Sequence, residues 1–578
     1  FLILGCSLTT VTGRPSHPKD HAQENIDKMG ELLTRWNILH PVQPTPMSEK
    51  TKAFLEKYSG NGNDDEIALT IPEINGADAG KVIEGDIIPS DSDIAMLEER
   101  LRREESGQIR SERAASWITK ATFPKDTPIP FHIAEGYEDF EKELIRIAIR
   151  SIEENVCVNF EENGSGLRLE YSYAEDKCES YVGDERRRGL DQTIYIGKTQ
   201  CMKVHIIQHE TIHALGFTHT MERPDRHEYM EYYFDKMYPG TWNQFTPLKP
   251  SDFSNHSVPY EYNSVMHYGA TQTSLQSHIP SMMPIDNDYI TTVGADHGPT
   301  FNDWKQINAR YKCDEKCESK AACLNKGYVH PRDCNKCVCP IFYTGTLCEQ
   351  PINVTILEEG QLQTFVYESV QDPGLPFIEE WNFTKFNKEL HLIQAPEGQR
   401  IRITLDKIEP SKPKNCLAQC TKNAVEIVDG DMSIVGKRFC CSERTGNVFV
   451  SNTSVVGYQV YSALGINFSS RVTFSIEPSN VTSTTTTSTP TSIPTSAETS
   501  TVNDTTAKST TESYTESSTE ETQTTNSETS TEQSSSEAPP ATTSESEDDV
   551  STSSSLTGPS PIQELLEYIK ALLGQHGQ

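Results

Sequence analysis

The sequence HETIHALGFTH, residues 209–219, constrains the fold of this chain more than any other stretch. His209 and His213 lie four residues apart, so on a helix they share one face and are one turn apart. Two imidazoles in that arrangement can occupy two corners of a tetrahedral zinc site. Glu210 follows the first of them and can reach a water on the metal as a general base. The stretch therefore predicts a helix that carries a hydrolytic metal site.

Gly216 and His219 complete this pattern. A glycine can end the helix in a left-handed turn at little cost, and such a turn would bring His219 back as the third ligand. The fourth corner would stay open for water, which favours a catalytic over a structural zinc site. The alternative is a helix with histidines on its surface. We expect the full pattern by chance in roughly 1 in 30,000 chains of this length.

A second stretch, SVMHYG at residues 264–269, agrees with the first. Together with RPDR at 223–226, the two stretches resemble the astacin family of metzincin metallopeptidases, and the likeness extends over residues 114–313. The resemblance implies that Met266 forms a turn beneath the zinc and that Tyr268 is a movable ligand that stabilises an oxyanion. Without the resemblance, Met266 would be read as core and Tyr268 as a half-buried aromatic residue.

The resemblance implies a zinc metalloendopeptidase with one Zn2+, held by His209, His213 and His219. Glu210 would move a proton from water to the leaving amine, assisted by Tyr268. The partners would be extracellular proteins, including matrix or cuticle proteins, and an activating protease. The rival hypothesis is an adhesive or mucin-like protein with an inert peptidase fold. It is disfavoured because the ligands and the base are all present.

At 578 residues the chain has room for several domains, and its net charge of −33 argues against nucleic acid as a partner. No apolar run is long enough to cross a bilayer. We expect an α+β fold: a two-lobed metzincin domain with a twisted sheet and an active-site helix, then a small EGF-like module, an all-β CUB sandwich and a disordered tail.

Residues 1–13 form a short apolar run that is typical of the end of a secretory signal peptide, although a buried strand is an alternative. Cys6 would leave with the signal, and the remaining cysteines would be even in number, as expected for a secreted protein. Asn-x-Ser/Thr sequons agree with secretion. Their asparagines are Asn163, Asn255, Asn353, Asn382, Asn452, Asn467, Asn480 and Asn503.

Residues 14–113 are polar, acidic and free of cysteine, and they are similar to an astacin propeptide. IEGDII at 83–88 resembles the latency motif of that family, in which an aspartate, here Asp86, binds zinc in place of the catalytic water. Considered without the resemblance, Glu-Gly-Asp is typical of a turn.

Basic residues cluster at the end of this segment. The stretch Arg100-Leu-Arg-Arg103 suits a furin-like protease, but the glutamates around it also fit a solvated charged helix. The resemblance implies processing after Arg113, so that the mature chain begins at about Ala114.

In the catalytic domain, residue periodicity predicts helices over 138–156 and 202–215 and strands over 167–173 and 192–196. The resemblance implies that a substrate adds as an antiparallel strand to the strand after Cys178. It also implies the disulfides Cys157–Cys313 and Cys178–Cys201.

Three positions depart from the family pattern. Thr220 stands where the family has a glutamate that anchors the mature N-terminus, a role that Glu222 could take. His227 replaces an acidic residue after RPDR, and Glu179 replaces a common aromatic residue beside Cys178. These differences concern N-terminal anchoring and cleft specificity, and none removes a metal ligand.

Residues 314–350 hold six cysteines, and their Cys-x-Cys-x8-Cys ending resembles an EGF-like module. Six cysteines alone permit 15 pairings, and a zinc knuckle is an alternative. The resemblance implies the pairs Cys317–Cys334, Cys323–Cys337 and Cys339–Cys348.

Residues 351–478 contain short alternating strands that predict an all-β sandwich. Its four cysteines fall where a CUB domain of nematode astacins carries them, and which of the first two joins which of the last two is open. They are Cys416, Cys420, Cys440 and Cys441. A CUB domain would bind proteins or position the enzyme, and a β-sandwich spacer is the alternative.

Residues 479–558 are mostly Ser, Thr, Glu and Pro and predict a disordered mucin-like stalk, with a bare acidic linker as the alternative. The last residues, 559–578, have apolar side chains on one helical face. They predict an amphipathic helix that packs on a partner or stays a lone, marginal helix.

Overall fold

The computed structural model of this chain describes residues 18–39, 45–58, 75, 81–107, 121–174, 177–237, 245, 247–248, 253–254, 256–276, 279–294, 297–369, 386–411, 416–463 and 466–478. Within those ranges no helix is long and apolar enough to cross a membrane. The predictions for residues 1–13, 479–558 and 559–578 lie outside the described residues.

The N-terminal segment contains three helices, α1 (Pro18–Leu39), α2 (Glu49–Tyr58) and α3 (Asp91–Glu105). A capping box begins α3, because the Ser90 side chain accepts a hydrogen bond from the Asp93 N–H while the Asp93 carboxylate accepts one from the Ser90 N–H. Helices α1 and α3 share a small apolar core made by Met29, Leu32, Leu33, Trp36, Ile94, Leu97 and Leu101.

The stretch Arg100–Arg103 lies within α3, as the charged-helix alternative predicts. Leu101 is buried, Arg102 pairs with Glu99, and the guanidinium of Arg100 lies 4.7 Å from the ring centroid of Trp36. A processing protease needs an extended substrate strand. The furin-like reading of this stretch therefore finds no support in the fold, while Arg113 and Ala114 lie outside the described residues.

The next part of the chain is built on a five-stranded sheet. Its strands, in spatial order, are β2 (Phe160–Glu162), β1 (Ile129–Ile133), β3 (Leu169–Ser172), β5 (Gln192–Ile196) and β4 (Cys178–Ser180). The first four are parallel, whereas β4 is antiparallel to β5 and forms an edge. Helices α4 (Asp139–Asn155) and α5 (Val204–Ala214) contribute their apolar faces to the core that also buries this sheet. The edge strand β4 thus lies beside helix α5.

The following lobe has little regular structure. It contains the antiparallel pair of β6 (Met230–Tyr232) and β7 (Met282–Pro284) and the helix α6 (Phe301–Arg310). The Asp303 carboxylate caps α6 and also accepts hydrogen bonds from Ser264 Oγ at 2.6 Å and from the Val265 N–H at 3.0 Å. One carboxylate thereby fixes the turn at 264–269 to the helix.

The remaining described residues form a small cysteine-rich unit and a β-sandwich. The unit contains β8 (Tyr328–His330), β9 (Asp333–Val338), β10 (Tyr343–Thr344) and β11 (Gln350–Pro351). One sandwich sheet has the order β12 (Val354–Ile356), β14 (Phe386–Gln394), β19 (Val455–Ala463), β16 (Asn423–Asp429) and β17 (Lys437–Phe439). The other has the order β13 (Gln363–Glu368), β20 (Phe468–Ile476), β15 (Ile401–Pro410) and β18 (Val448–Val450).

Disulfides cross-link the chain within each of these parts. The structure joins Cys157 to Cys313, Cys178 to Cys201, Cys317 to Cys334, Cys323 to Cys337, Cys339 to Cys348, Cys416 to Cys441 and Cys420 to Cys440. The last two pairs resolve the alternative that the sequence left open.

The β-sandwich packs against the lobe that carries the 264–269 turn. Arg438 is the centre of this contact and is only 6% exposed. Its guanidinium donates to Glu426 at 2.9 Å within the sandwich and to Asn263 at 3.0 Å in the lobe, and it contacts His297 Nδ1 at 2.9 Å. The Thr292 hydroxyl accepts from the Arg438 N–H at 3.0 Å. The sandwich is therefore fixed by paired polar groups rather than by a flexible tether.

Glu261 lies buried at the same contact. It accepts hydrogen bonds from the Asn302 side chain at 3.0 Å and from the Val435 N–H at 3.3 Å. Burial raises the pKa of this carboxyl to about 8, and the nearby Asp303 contributes. Glu261 is thus protonated in the folded chain at a pH where it would be ionised in the unfolded chain.

We expect the stability of this contact to fall as the pH rises. The pKa of Glu261 is higher in the folded chain than in the unfolded chain. Its contribution to the free energy of unfolding is therefore complete below about pH 4.5 and is lost by about pH 8. Between these values the free energy of unfolding falls by about 1.4 kcal/mol per pH unit. The Glu261→Gln variant should lack this loss. Urea unfolding of both proteins between pH 5 and 8 measures the difference, and parallel profiles would contradict the assignment.

Candidate zinc centre

Helix α5 carries the first two histidines of the site. Its residues Ile206 to Ala214 are all buried, so the helix passes through the interior with His209 and His213 on the face toward the 264–269 turn. The helix ends at Ala214, and Gly216 has a φ of +99°. This left-handed backbone angle favours glycine. This turn brings His219 back toward the helix.

The three histidines meet a carboxylate from the N-terminal segment. The Nε2 atoms of His209 and His213 are 3.0 Å apart, and those of His209 and His219 are 3.3 Å apart. Asp86 Oδ2 lies 3.4 Å from His209 Nε2 and 3.3 Å from His219 Nε2, and Oδ1 lies 3.7 Å from His213 Nε2. All four side chains are buried.

These distances fit a tetrahedral zinc ion. Zinc binds imidazole nitrogen and carboxylate oxygen at about 2.0–2.2 Å, so the ligand atoms of a tetrahedron are about 3.3–3.6 Å apart. The four ligand atoms here lie within 4.8 Å of one another. In addition, Asp86 Oδ1 is a buried oxygen without a hydrogen-bond partner in the described part of the chain. The residues present therefore suit zinc, which is the cofactor of this site.

Backbone carbonyl groups orient the first two ligands. The Nδ1–H of His209 donates to the Val265 carbonyl at 2.7 Å, and that of His213 donates to the Phe217 carbonyl at 2.7 Å. With the proton on Nδ1, each Nε2 keeps its lone pair for a metal. Burial also lowers the pKa of His213 well below its ordinary value, and the neighbouring His209 and His219 add to this effect.

His219 is held in a different way, by Glu84 of the N-terminal segment. Its Nδ1–H donates to the Glu84 carboxylate at 2.5 Å. Asp86 lies two residues after Glu84. Burial alone would raise the pKa of Asp86, but the positive field of His219 and the hydrogen bond from His209 lower that pKa below its ordinary value. Both acidic residues of the 83–88 stretch thus contact the site, one behind a ligand and one at its open face.

Glu210 follows the first ligand and is fully buried. Neither of its carboxylate oxygens has a hydrogen-bond partner among the described residues. Burial raises its pKa well above the ordinary value, with further contributions from the carboxylates of Asp86 and Glu179. An unpaired carboxylate beside a metal site is suited to accept a proton.

The 264–269 turn supplies the rest of the site. The Met266 carbonyl accepts a hydrogen bond from the Thr220 N–H at 2.8 Å, which ties the turn to the segment after His219. The Tyr268 ring lies 4.4 Å from the His219 ring, and its hydroxyl donates to Asp86 Oδ2 at 3.0 Å and to the Glu84 carbonyl. Tyr268 therefore reaches the same open face as Asp86.

The N-terminal segment also covers the edge strand β4. The Ser180 N–H donates to the Asp86 carbonyl at 3.0 Å, and the Ile88 N–H donates to the Ser180 carbonyl at 2.8 Å. The bridge between Ile87 and Ser180 is parallel. The Asn75 side chain completes this cover, because it accepts from the Cys178 N–H and donates to the Cys178 carbonyl, both at 2.8 Å.

Residues 117–312 match the family model described as astacin, a peptidase family. This span contains the three histidines, Glu210 and Tyr268. Residues 117–312 of this chain are an astacin peptidase domain.

Several proteins that this chain resembles come from nematodes. Zinc metalloproteinase nas-38 of Caenorhabditis elegans is 29% identical over 71% of this chain and 55% of its own length. Zinc metalloproteinase nas-37 of the same species is 38% identical over 42% of this chain and 31% of its own length. The chain thus spans about half and about a third of these two relatives. Among solved structures, a hatching enzyme zinc-protease of Oryzias latipes is 28% identical and covers 35% of this chain and 99% of its own, with a TM-score of 0.31.

The structure also locates the departures from the astacin pattern. Thr220 begins a short 3₁₀ turn that ends at Glu222, and Glu222 is buried. Glu179 lies on β4, fully buried while the N-terminal segment is in place. His227 is exposed. None of the three belongs to the metal cluster.

Glu84 and Asn75 are site residues that sequence reasoning missed. Glu84 stands two residues before Asp86, so the same motif contained it, but only the fold shows that it holds His219. Asn75 lies away from any motif, and no sequence signal marks it. Of the sequon asparagines, the exposed ones are Asn163, Asn353, Asn452 and Asn467, and the others lie outside the described residues.

Proposed function

We propose that this astacin is a secreted zinc metalloendopeptidase that is made as a latent precursor. The observation that carries the proposal is the position of Asp86. Its carboxylate lies 3.3–3.7 Å from three histidine Nε2 atoms and accepts a hydrogen bond from the Tyr268 hydroxyl. It therefore occupies the open face of the three histidines, which a substrate and water would need.

His209, His213 and His219 would hold the zinc, which supplies Lewis-acid activation when bound. The Glu210 carboxylate takes a proton from the attacking water and passes it to the nitrogen of the leaving amine. The Tyr268 hydroxyl donates a hydrogen bond to the carbonyl oxygen as negative charge develops there. The carbonyl groups of Val265 and Phe217 keep two of the histidines in the required tautomer.

Substrate binding would use the edge strand β4. In the uncut chain, the N-terminal segment forms hydrogen bonds with both the N–H and the carbonyl group of Ser180. Once that segment has left, both groups could pair with a peptide substrate. Extended stretches of extracellular proteins, including matrix or cuticle proteins, are the substrates we propose. The chain would comprise a signal remnant (1–13), a propeptide (14–113), the peptidase (114–313), an EGF-like module (314–350), a CUB domain (351–478) and a stalk.

Cleavage of a mixed peptide library tests this function. The full chain would be cut between residues 107 and 121 by an added protease, which is then inhibited, and products would be read by mass spectrometry. We expect cleavage that a chelator abolishes and added zinc restores. Zinc bound at the site without any cleavage would favour an inert, adhesive protein instead.

We expect Tyr268→Phe to lower kcat of the cut enzyme about 100- to 1,000-fold, because the variant loses one donor to the developing oxyanion. KM should change far less, since the ring and its packing on His219 remain. Steady-state kinetics on one peptide substrate measure both constants. Tyr262→Phe, whose hydroxyl donates to the Tyr229 carbonyl, is a matched control. An unchanged kcat for Tyr268→Phe would remove this tyrosine from the mechanism.

A further inference from the structure

Helix α2 of the N-terminal segment has one buried face. Thr51 and Tyr58 are buried and Phe54 and Leu55 are half-buried, which places the buried face at the spacing i, i+3, i+4 and i+7. The opposite face, including Glu56, is exposed. A helix of only 10 residues is marginal by itself, so its surroundings must stabilise α2.

The first half of α2 is bound to the peptidase lobe. The Thr51 hydroxyl donates to the Glu231 carboxylate at 3.0 Å, and the Asn287 side chain donates to the same hydroxyl at 3.3 Å. The Lys50 ammonium donates to the Ile285 carbonyl at 2.7 Å. None of these partners lies in β4, which is covered by residues 75 and 86–88 instead.

The second half of α2 is bound to the β-sandwich. The Tyr58 hydroxyl oxygen accepts a hydrogen bond from the Asn447 side-chain amide at 3.0 Å, and the Tyr58 ring packs on the disulfide of Cys416 and Cys441. The guanidinium carbon of Arg444 lies 4.3 Å from the Tyr58 ring centroid and 5.0 Å from that of Phe54. These distances are in the range of favourable cation–π contacts.

Arg444 makes this a composite groove. It is 1% exposed, and its Nη1 donates to Asp288 of the peptidase lobe at 2.9 Å. Neither its Nε nor its Nη2 has a hydrogen-bond partner among the described residues. The guanidinium instead contacts aromatic rings, namely the two of α2 and that of Phe439 in the sandwich. A buried, part-satisfied cation of this kind is costly without its aromatic partners.

We propose that this groove, formed by the 3₁₀ turns Asn287–Tyr289 and Ser442–Arg444, is a second binding site for the N-terminal segment, separate from the zinc centre. It recognises an amphipathic helix with two aromatic residues one turn apart, and its occupant is α2 of this chain. Neither the peptidase lobe nor the sandwich forms the groove alone. The sandwich therefore retains the N-terminal segment after the chain is cut. The role of this retention in latency rests on the proposed function, whereas the binding itself does not.

The test compares full chains that carry one substitution each. Phe54→Ala and Tyr58→Ala remove the aromatic rings from α2 and leave untouched the lobe–sandwich contacts made by Arg438 and Glu261. Arg444→Ala removes the cation from the groove. Glu56→Ala on the exposed face of α2 is the control for the helix, and Arg402→Ala, which removes the ion pair with Glu477, is the control for the sandwich.

Hydrogen exchange in residues 49–58 is the first readout. We expect exchange about tenfold faster or more in Phe54→Ala and Arg444→Ala, with both controls like the wild type. The second readout is the rate at which the N-terminal fragment leaves the chain after a cut between residues 107 and 121, followed by gel filtration. The same variants should release it about tenfold faster.

Exchange and release at wild-type rates in Phe54→Ala, Tyr58→Ala and Arg444→Ala would overturn the second site. If Arg444→Ala fails to fold, the two α2 variants alone provide the test, since they keep Arg444, its pair with Asp288 and the contacts of Arg438. Both readouts are independent of peptidase activity. A fragment that stays bound but does not inhibit cleavage would contradict the proposed latency and support the groove.

Discussion

Glu210→Gln is expected to reduce kcat/KM of the cut enzyme by about 100- to 10,000-fold, because the amide cannot accept the proton of the attacking water. The carboxylate is buried and has no hydrogen-bond partner among the described residues. Its replacement by an amide of the same shape should therefore leave the fold unchanged. The three histidines are untouched, so zinc content should remain one per chain.

Kinetics on a peptide substrate, together with zinc content by atomic absorption, measure this prediction. Glu228→Gln makes the same chemical change at an exposed position nearby and serves as the control. Lost activity with lost zinc would mean that Glu210 supports the metal rather than the proton transfer. Full activity in Glu210→Gln would exclude it as the general base.

Asp86→Ala is expected to make the uncut chain active. The substitution removes the carboxylate from the face of the zinc centre and releases the Tyr268 hydroxyl. Removing one partner of a buried charged pair typically costs about 3–5 kcal/mol, so the open form of the uncut chain should become about 100-fold more populated or more. Because α1, α2 and α3 still hold the segment, activity should remain below that of the cut enzyme.

Peptide cleavage by the uncut Asp86→Ala chain measures this gain. Asp27→Ala alters an exposed aspartate of the same segment, which pairs with Gln23 and Lys81, and should leave the precursor inactive. Adding Glu210→Gln to Asp86→Ala should abolish the new activity, which assigns it to this centre. A precursor that stays inactive without Asp86 would place latency elsewhere in the segment.

Several local elements were predictable from the sequence, and His209, His213 and His219 do lie together in the fold beside Asp86. The helix 204–214 and the strand 192–196 follow from periodicity, and the motif placed His219 beyond a glycine turn. These features depend on neighbours a few residues apart, which a sequence displays directly. The same reasoning could not distinguish a protease site from a helix at 100–103, because charged residues suit both.

Features that depend on contacts between distant parts of the chain could not be predicted from the sequence. Strand β14 was not predicted, because its residues Asn387, Lys388 and Glu389 form a polar run that pairing with β19 alone holds in a sheet. The bond between Asn75 and Cys178 joins residues 103 positions apart, and the groove around Arg444 joins three regions of the chain. Such contacts are set by tertiary packing, which local propensity does not encode.

The parallel bridge between Ile87 and Ser180 has a further consequence. If substrates pair with β4 in the antiparallel sense, as the astacin resemblance implies, then the N-terminal segment lies in the cleft with its main chain reversed. Along the cleft, past Glu210 and Tyr268, its carbonyl and N–H groups would then follow one another in the reverse order from those of a substrate. Under the proposed latency, this reversed main chain would let the N-terminal segment lie against the catalytic groups without being cut by them.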